Sequence, residues 1–297
     1  MPLFLVILSA LTHFGEGVMI KKSGAKEPNG GFIFMSLVSL ASMLFFLLSY
    51  IITDAEKGDF TPEVIPYALL AGFLYCTASL FNYLAIGCGP FAITTLIVSY
   101  SIVLISGYGI AWLGESASPL TYAAFVGIAI SLFLVRTEPQ ATDESSEKTE
   151  APRLSLKWLI YVVLATLLSA LFSIVIREQQ IAFGGSVDNE CMIISLGFSA
   201  LLLLAFGIVQ SRKNSLSILK STAPYALGAG MANGATNLLS LITNTMMAIS
   251  ISSPTRSVVK TAITFAYSYF ILKERFLPRQ LFGVVIGVVS TVLLNIA

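Results

Sequence analysis

The heptapeptide Pro66-Tyr67-Ala68-Leu69-Leu70-Ala71-Gly72 returns later in the chain as Pro224-Tyr225-Ala226-Leu227-Gly228-Ala229-Gly230, six of seven residues identical at an offset of 158. A shorter element follows nearly the same spacing. Leu113-x-Glu115-x-x-x-Pro119 returns as Leu272-x-Glu274-x-x-x-Pro278, 159 residues on. The second match would be weak alone, but two matches in one order at one offset point to an internal repeat.

Both heptapeptides sit in long apolar stretches. Of 297 residues, 56% are hydrophobic and only 11% charged, where a soluble domain carries about 25% charged residues. Mean hydropathy is +0.86. This balance excludes a disordered chain, a secreted disulfide scaffold and a typical soluble enzyme. Seventeen Lys and Arg against sixteen Asp and Glu, with no basic stripe, exclude a nucleic-acid binder. The three cysteines, Cys76, Cys88 and Cys191, lie in apolar surroundings with no C-x-x-C or Cys/His spacing. They read as buried thiols, neither a disulfide framework nor a metal site.

The fold class expected is an all-α polytopic membrane protein. A helix needs ~20 mainly apolar residues to cross the hydrocarbon core. Ten stretches qualify: 3–20, 31–53, 63–86, 90–113, 119–136, 157–177, 190–210, 222–247, 251–272 and 278–296. The shortest separations fall at 87–92 and 247–254. The first stretch reads as a retained spanning helix, because no basic region precedes it and Lys21-Lys22 flanks its far end.

Residues 137–156 form the one long polar stretch, rich in charge, Ser/Thr and proline, and read as a linker. They divide the chain into a first five-helix repeat (1–136) and a second (157–297). An odd number of helices per repeat makes the second half enter the membrane from the opposite side, the inverted-topology repeat of many secondary transporters. With the N-terminus outside, thirteen Lys and Arg fall in inside loops and only Lys57 and Arg177 outside. The positive-inside rule then puts both termini outside, in a bacterial cytoplasmic membrane.

Charges within spanning segments are costly and point to function by default. Ser9, His13 and Glu16 share one face of the first helix at i, i+4, i+7. A carboxylate in a low-dielectric setting can exchange protons near neutral pH, so this face could couple transport to protons or hold an ammonium group. The plainer alternatives are that Glu16 sits near the wet end, five residues from Lys21, and that His13 is a packing residue. Arg256 and Lys260, at i, i+4 in the ninth stretch, suit a carboxylate or phosphate. Their alternatives are charge balance for Glu16 and, for Arg256, snorkelling. Axial arithmetic sets Glu16 roughly 9 Å from Lys260 in height, which leaves His13 nearer to Lys260.

The repeat supplies a second constellation. Asn233, Asn237, Ser240 and Asn244 line one face of the eighth stretch, and Tyr75, Ser79 and Asn82 stand opposite the first three at offset 158. Two related polar stripes could line one central cavity, or simply hydrogen-bond between helices. Thr95, Ser99, Tyr100 and Ser101 have a weaker claim. Pro90 and Pro254 can break helices and free carbonyls, which is tolerable only beside protein or a wet cavity. Gly283-x-x-x-Gly287 reads as a close-packing motif within the chain rather than a dimer seam.

Ten helices in two inverted halves, with Ala85-Ile86-Gly87-Cys88-Gly89-Pro90, Leu113-Gly114-Glu115 and Leu272-Lys273-Glu274-Arg275 in this order, resemble the drug/metabolite transporter (DMT) superfamily in its EamA-like branch. The resemblance implies alternating access around a central substrate, and transport of amino acids, amines, drugs, nucleotide sugars or sugar phosphates. Small multidrug relatives use a first-helix glutamate, and Glu16 occupies a similar place. Phe14 stands where a tryptophan is common, and paired cations in the ninth helix are unusual for a plain drug exporter.

The function expected is secondary transport of a small polar metabolite, amino-acid-like or otherwise bearing a carboxylate or phosphate. It needs no cofactor and no metal, has no catalytic residues, and works as a monomer or homodimer in the lipid bilayer. A proton-coupled exporter of organic cations using Glu16 is the alternative. A membrane-embedded enzyme or a non-transporting scaffold is remote, since the chain has one histidine and no aspartate in an expected helix.

Overall fold

The computed structural model describes residues 2–26, 30–52, 61–112, 118–135, 155–185, 187–210, 215–246, 249–274 and 276–296. Most of the polar linker, Glu115 and the side chain of Asn244 lie outside the described residues. The elements are α1 (Pro2–Lys26), α2 (Gly31–Ile52), α3 (Val64–Cys88), α4 (Phe91–Ser99), α5 (Ser101–Trp112), α6 (Pro119–Val135), α7 (Leu156–Phe183), α8 (Asp188–Gln210), α9 (Ser215–Met246), α10 (Ile249–Phe270) and α11 (Pro278–Ile296). No strand occurs among the described residues.

Helices occupy the apolar stretches, with two differences. The stretch 90–113 is two helices meeting at Tyr100, whose amide bonds the Ile97 carbonyl at 3.0 Å. Several helices also run past their apolar cores, because a helix continues until something ends it. The α7 helix starts at Ser155, whose side chain accepts from the Trp158 amide, and stops at Gly184 in the left-handed region at φ 61°.

Four single helices (α1, α2, α3 and α7), the α4–α5 pair taken together, and α8 are long and apolar enough to cross a membrane. The α6 and α11 helices are shorter and apolar. Their outer surfaces show Tyr122, Val126, Ile130 and Phe133 on α6 and Phe282, Val285 and Val289 on α11, all exposed. Stripes of this kind are a liability in water and suit contact with lipid. The α9 and α10 helices carry the polar stripes. The architecture is that of an all-α, multi-pass membrane protein.

The most extensive helix pairs are α1 with α9, α3 with α7, α2 with α8, and α6 with α11; α2 also packs on α9 and α3 on α8. The repeated heptapeptides explain part of this. Ala68, Ala71 and Gly72 are buried, as are Ala226, Ala229 and Gly230. A Cβ on Gly72 would stand 2.6 Å from the Ser195 carbonyl of α8, and one on Gly230 would stand 2.6 Å from the Val38 carbonyl of α2. Each glycine lets a helix backbone approach its neighbour. Gly230→Ala is therefore expected to lower stability by about 1–3 kcal/mol in detergent unfolding assays. Gly228→Ala should change little, because its new methyl would meet only Met19, at 3.6 Å.

Gly283 and Gly287 pack inside the chain. Ser131 of α6 donates to the Gly283 carbonyl at 2.6 Å, and Gly287 lies against the Tyr100 hydroxyl. Cys76 and Cys191 are buried thiols, but Cys88 is exposed. It is the last residue of α3, where the helix opens at Gly89-Pro90.

Candidate functional site

A cavity of about 380 Å³ lies among α1, α2, α3, α4, α5, α7, α9 and α10. Nine of the eleven residues expected at the site line it: His13 and Glu16 from α1; Tyr75, Ser79 and Asn82 from α3; Asn233 and Asn237 from α9; Arg256 and Lys260 from α10. Helical periodicity explains each group, since i, i+3, i+4 and i+7 positions share a face.

Asn233 is the hub of the first network. Its Nδ2 donates to Glu16 Oε1 at 3.0 Å. Its Oδ1 accepts from the Tyr75 hydroxyl, Ser42 Oγ and Asn237 Nδ2, each at 3.1 Å. Tyr75 and Asn233 are equivalents at offset 158, and they touch. Glu16 Oε2 is buried with no hydrogen-bond partner among the described residues, so one carboxylate oxygen is fixed and the other is free for a ligand.

The second network holds the cations. Lys260 Nζ lies 2.7 Å from His13 Nε2. An ammonium only donates, so Nε2 accepts and the imidazole proton sits on Nδ1. Arg256 Nη1 donates to Ser240 Oγ. Ser240 in turn lies 3.5 Å from Ser9 Oγ, and Thr12 and Thr236 share a hydrogen bond at 2.7 Å. Lys260 meets His13, the residue nearer to it in height, while Glu16 is held by Asn233. Neither cation is within ion-pair distance of a carboxylate among the described residues. The cavity thus combines two cations, one carboxylate and a histidine, over a wall of Val98, Ile102, Ile105 and Phe172.

Two expected residues lie elsewhere. Tyr100 bonds Ser131 Oγ of α6 at 2.6 Å, because the α4–α5 junction turns its ring away from the cavity. Ser240 stands behind the lining, as the partner of Arg256. Thr95, Ser99 and Ser101 do reach the cavity. Thr236, Ser257, Ser169 and Ser173 also line it and were not anticipated. Ser169 and Ser173 had a readable signal, since they are spaced i, i+4 in an apolar helix.

A helical membrane bundle with a charged polar cavity defines the class: an integral multi-pass membrane protein with an internal polar cavity. No family model matches the chain, and no curated protein matches it. Among solved structures, one described as "Crystal structure of protein" is similar, with a TM-score of 0.51 and 12% sequence identity over 96% of this chain and 95% of that chain. At this identity the likeness speaks for the fold alone.

Proposed function

We propose that the protein is a secondary active transporter of a small polar solute bearing a carboxylate or phosphate, working by alternating access. The observation that carries this reading is the cavity itself. Among the described residues, Lys260 and Arg256 face it with no carboxylate in ion-pair distance, and Glu16 has one oxygen without a hydrogen-bond partner. Buried charges persist where they are paired or used, and these are left to be paired by a ligand. An amino-acid-like zwitterion suits the set, its carboxylate toward the cations and its ammonium toward Glu16.

In this reading the chain crosses the membrane ten times as two inverted five-helix repeats. Packing supports it. If α1–α6 are exchanged with α7–α11, counting α4–α5 as one crossing, α1–α9 becomes α7–α3, α2–α9 becomes α8–α3, and α2–α8 and α6–α11 map onto themselves. The Tyr75–Asn233 bond would then lie at the pseudo-two-fold axis. The resemblance to the drug/metabolite transporter superfamily supports the ten-helix view, while the loop charges alone favour both termini outside, where many bacterial members of that superfamily have both inside.

The test is a thermal-shift screen of the purified, detergent-solubilised protein against amino acids, amines, nucleotides and sugar phosphates, followed by flux of any hit into proteoliposomes. Stabilisation by an anionic or zwitterionic solute, with saturable flux, is expected. The free Glu16 oxygen favours one second reading, a proton-coupled exporter of organic cations. Stabilisation by organic cations alone would select it and overturn the first.

A further inference from the structure

A charged cluster lies just outside the cavity, beside the lining residues Ile20 and Ile86. The break between α3 and α4 frees backbone groups. In a continuous helix the Ile86 carbonyl would accept from the amide of residue 90, but Pro90 has none. The Phe91 amide would reach back to Gly87, but Gly89 is extended at φ −144°, ψ −178° and redirects the chain.

Two side chains from distant parts of the chain replace the missing partners. Lys21 Nζ of α1 donates to the Ile86 carbonyl at 3.0 Å and to the Gly89 carbonyl at 2.9 Å. Glu274 Oε1 accepts from the Phe91 amide at 2.9 Å and lies 3.8 Å from Lys21 Nζ. Lys273, three residues past the end of α10 and in the left-handed region at φ 55°, turns the chain back, so that the Glu274 amide donates to the Ser268 carbonyl at 3.0 Å.

Aromatic packing joins this knot to the cavity floor. The Phe91 ring lies against Gly17, where a Cβ would stand 2.8 Å from it. It meets Tyr267 edge-on at 6.5 Å, and Tyr267 meets Phe14 at 5.3 Å. Ile20 and Ile86 line the cavity at this end. Ile105, also in the lining, lies beyond the turn at Tyr100 in α5, fourteen residues on from Phe91.

We propose that Lys21 and Glu274 form the latch that keeps the cavity shut on the Lys21 face, and that releasing it swings the α3–α4 break away from α1 to open that face. The inference rests on the alternating-access reading above. The latch is a positioning device: neither residue lines the cavity, and both act on the break through its backbone. Opening admits water, which meets the freed carbonyls and amide in place of the side chains, so irregular backbone at this depth is tolerated in both states.

The test is cysteine accessibility in right-side-out and inside-out vesicles. Cys76, Cys88 and Cys191 are replaced by serine, and Ser79→Cys reports on the cavity. Exposed Lys22, changed to Cys in a parallel sample, identifies the vesicles presenting the Lys21 face. A membrane-impermeant maleimide is expected to label the cavity cysteine from the opposite face only. Glu274→Gln or Lys21→Met should raise labelling from the Lys21 face at least tenfold, with either variant sufficient if the other does not fold. Unchanged labelling from that face in a folded variant overturns the latch but leaves the transporter reading intact. A cavity cysteine labelled from neither face in any vesicle, or equally from both faces in the unlatched and latched proteins, overturns alternating access and the latch with it.

Discussion

In the Lys260→Ala variant, carboxylate- and phosphate-bearing solutes are expected to bind about 100-fold more weakly, a loss of about 2.7 kcal/mol. Truncating one partner of a desolvated charge pair costs about 2–5 kcal/mol of binding, and Lys260 has no carboxylate partner of its own among the described residues. The ligand-free fold should lose only about 1–2 kcal/mol: the hydrogen bond to His13 goes, and the attraction of Lys260 for the buried Glu16 carboxylate is lost together with its repulsion of Arg256 one turn away. A purely structural lysine would behave in reverse, losing stability with no solute-dependent effect. Glu16→Gln completes the comparison, because it keeps an acceptor for Asn233 and removes only the charge. A zwitterion is expected to lose affinity in both variants, a plain anion only in Lys260→Ala, and an organic cation only in Glu16→Gln. Isothermal titration with an amino acid, its deaminated acid and its decarboxylated amine separates these cases. Binding of the amino acid and its deaminated acid to Lys260→Ala with wild-type affinity would remove Lys260 from the site.

The second large effect is expected at Asn233. Replacing it by leucine removes the partner of the Glu16 carboxylate, the Tyr75 hydroxyl and Asn237 together, while Ser42 keeps its bond to the Gly230 carbonyl. Hydrogen bonds between membrane helices average well under 1 kcal/mol, so Tyr75→Phe should cost less than about 1 kcal/mol. A buried charge left without its partner is a different matter, with penalties of about 3–5 kcal/mol. Asn233→Leu should therefore destabilise the protein by about 3 kcal/mol in chemical unfolding. Adding Glu16→Met should return most of that loss, since removing both partners of a buried pair costs far less than removing one. Failure of the double variant to recover would mean that Asn233 acts mainly through the packing of α9 on α2.

The repeated heptapeptide and the i, i+4 spacing of charges were legible because they follow chemistry that acts locally along a chain. A membrane helix must be apolar for its whole length, and any charge it carries is conspicuous. Glu16, His13, Arg256 and Lys260 could therefore be chosen without seeing a neighbour, and all four face the cavity. Tyr100 could not be judged in that way. Its helix has polar groups on more than one face, and only the turn at the α4–α5 junction sends its hydroxyl to Ser131 instead of the cavity. Cys88 likewise looked buried from its apolar neighbours, yet it ends a helix that opens at the next two residues.

Glu274 is the clearest case of division between the two levels. The repeated Leu-x-Glu-x-x-x-Pro element marked it as notable from sequence, but its partners are the Phe91 amide and Lys21, 183 and 253 residues away in the chain. The need for such partners was readable, because Pro90 lacks an amide and a broken helix in a membrane must have its backbone satisfied. Which side chains meet that need was not, because it depends on how α1 and the α10–α11 link are packed. Composition and periodicity alone therefore determined that this is a helical membrane protein with charges held inside it, since each helix satisfies its own backbone and lipid demands an apolar surface. Tertiary structure alone decided which polar groups meet, because hydrogen bonds and charges act over a few ångströms and pair residues that the chain keeps far apart.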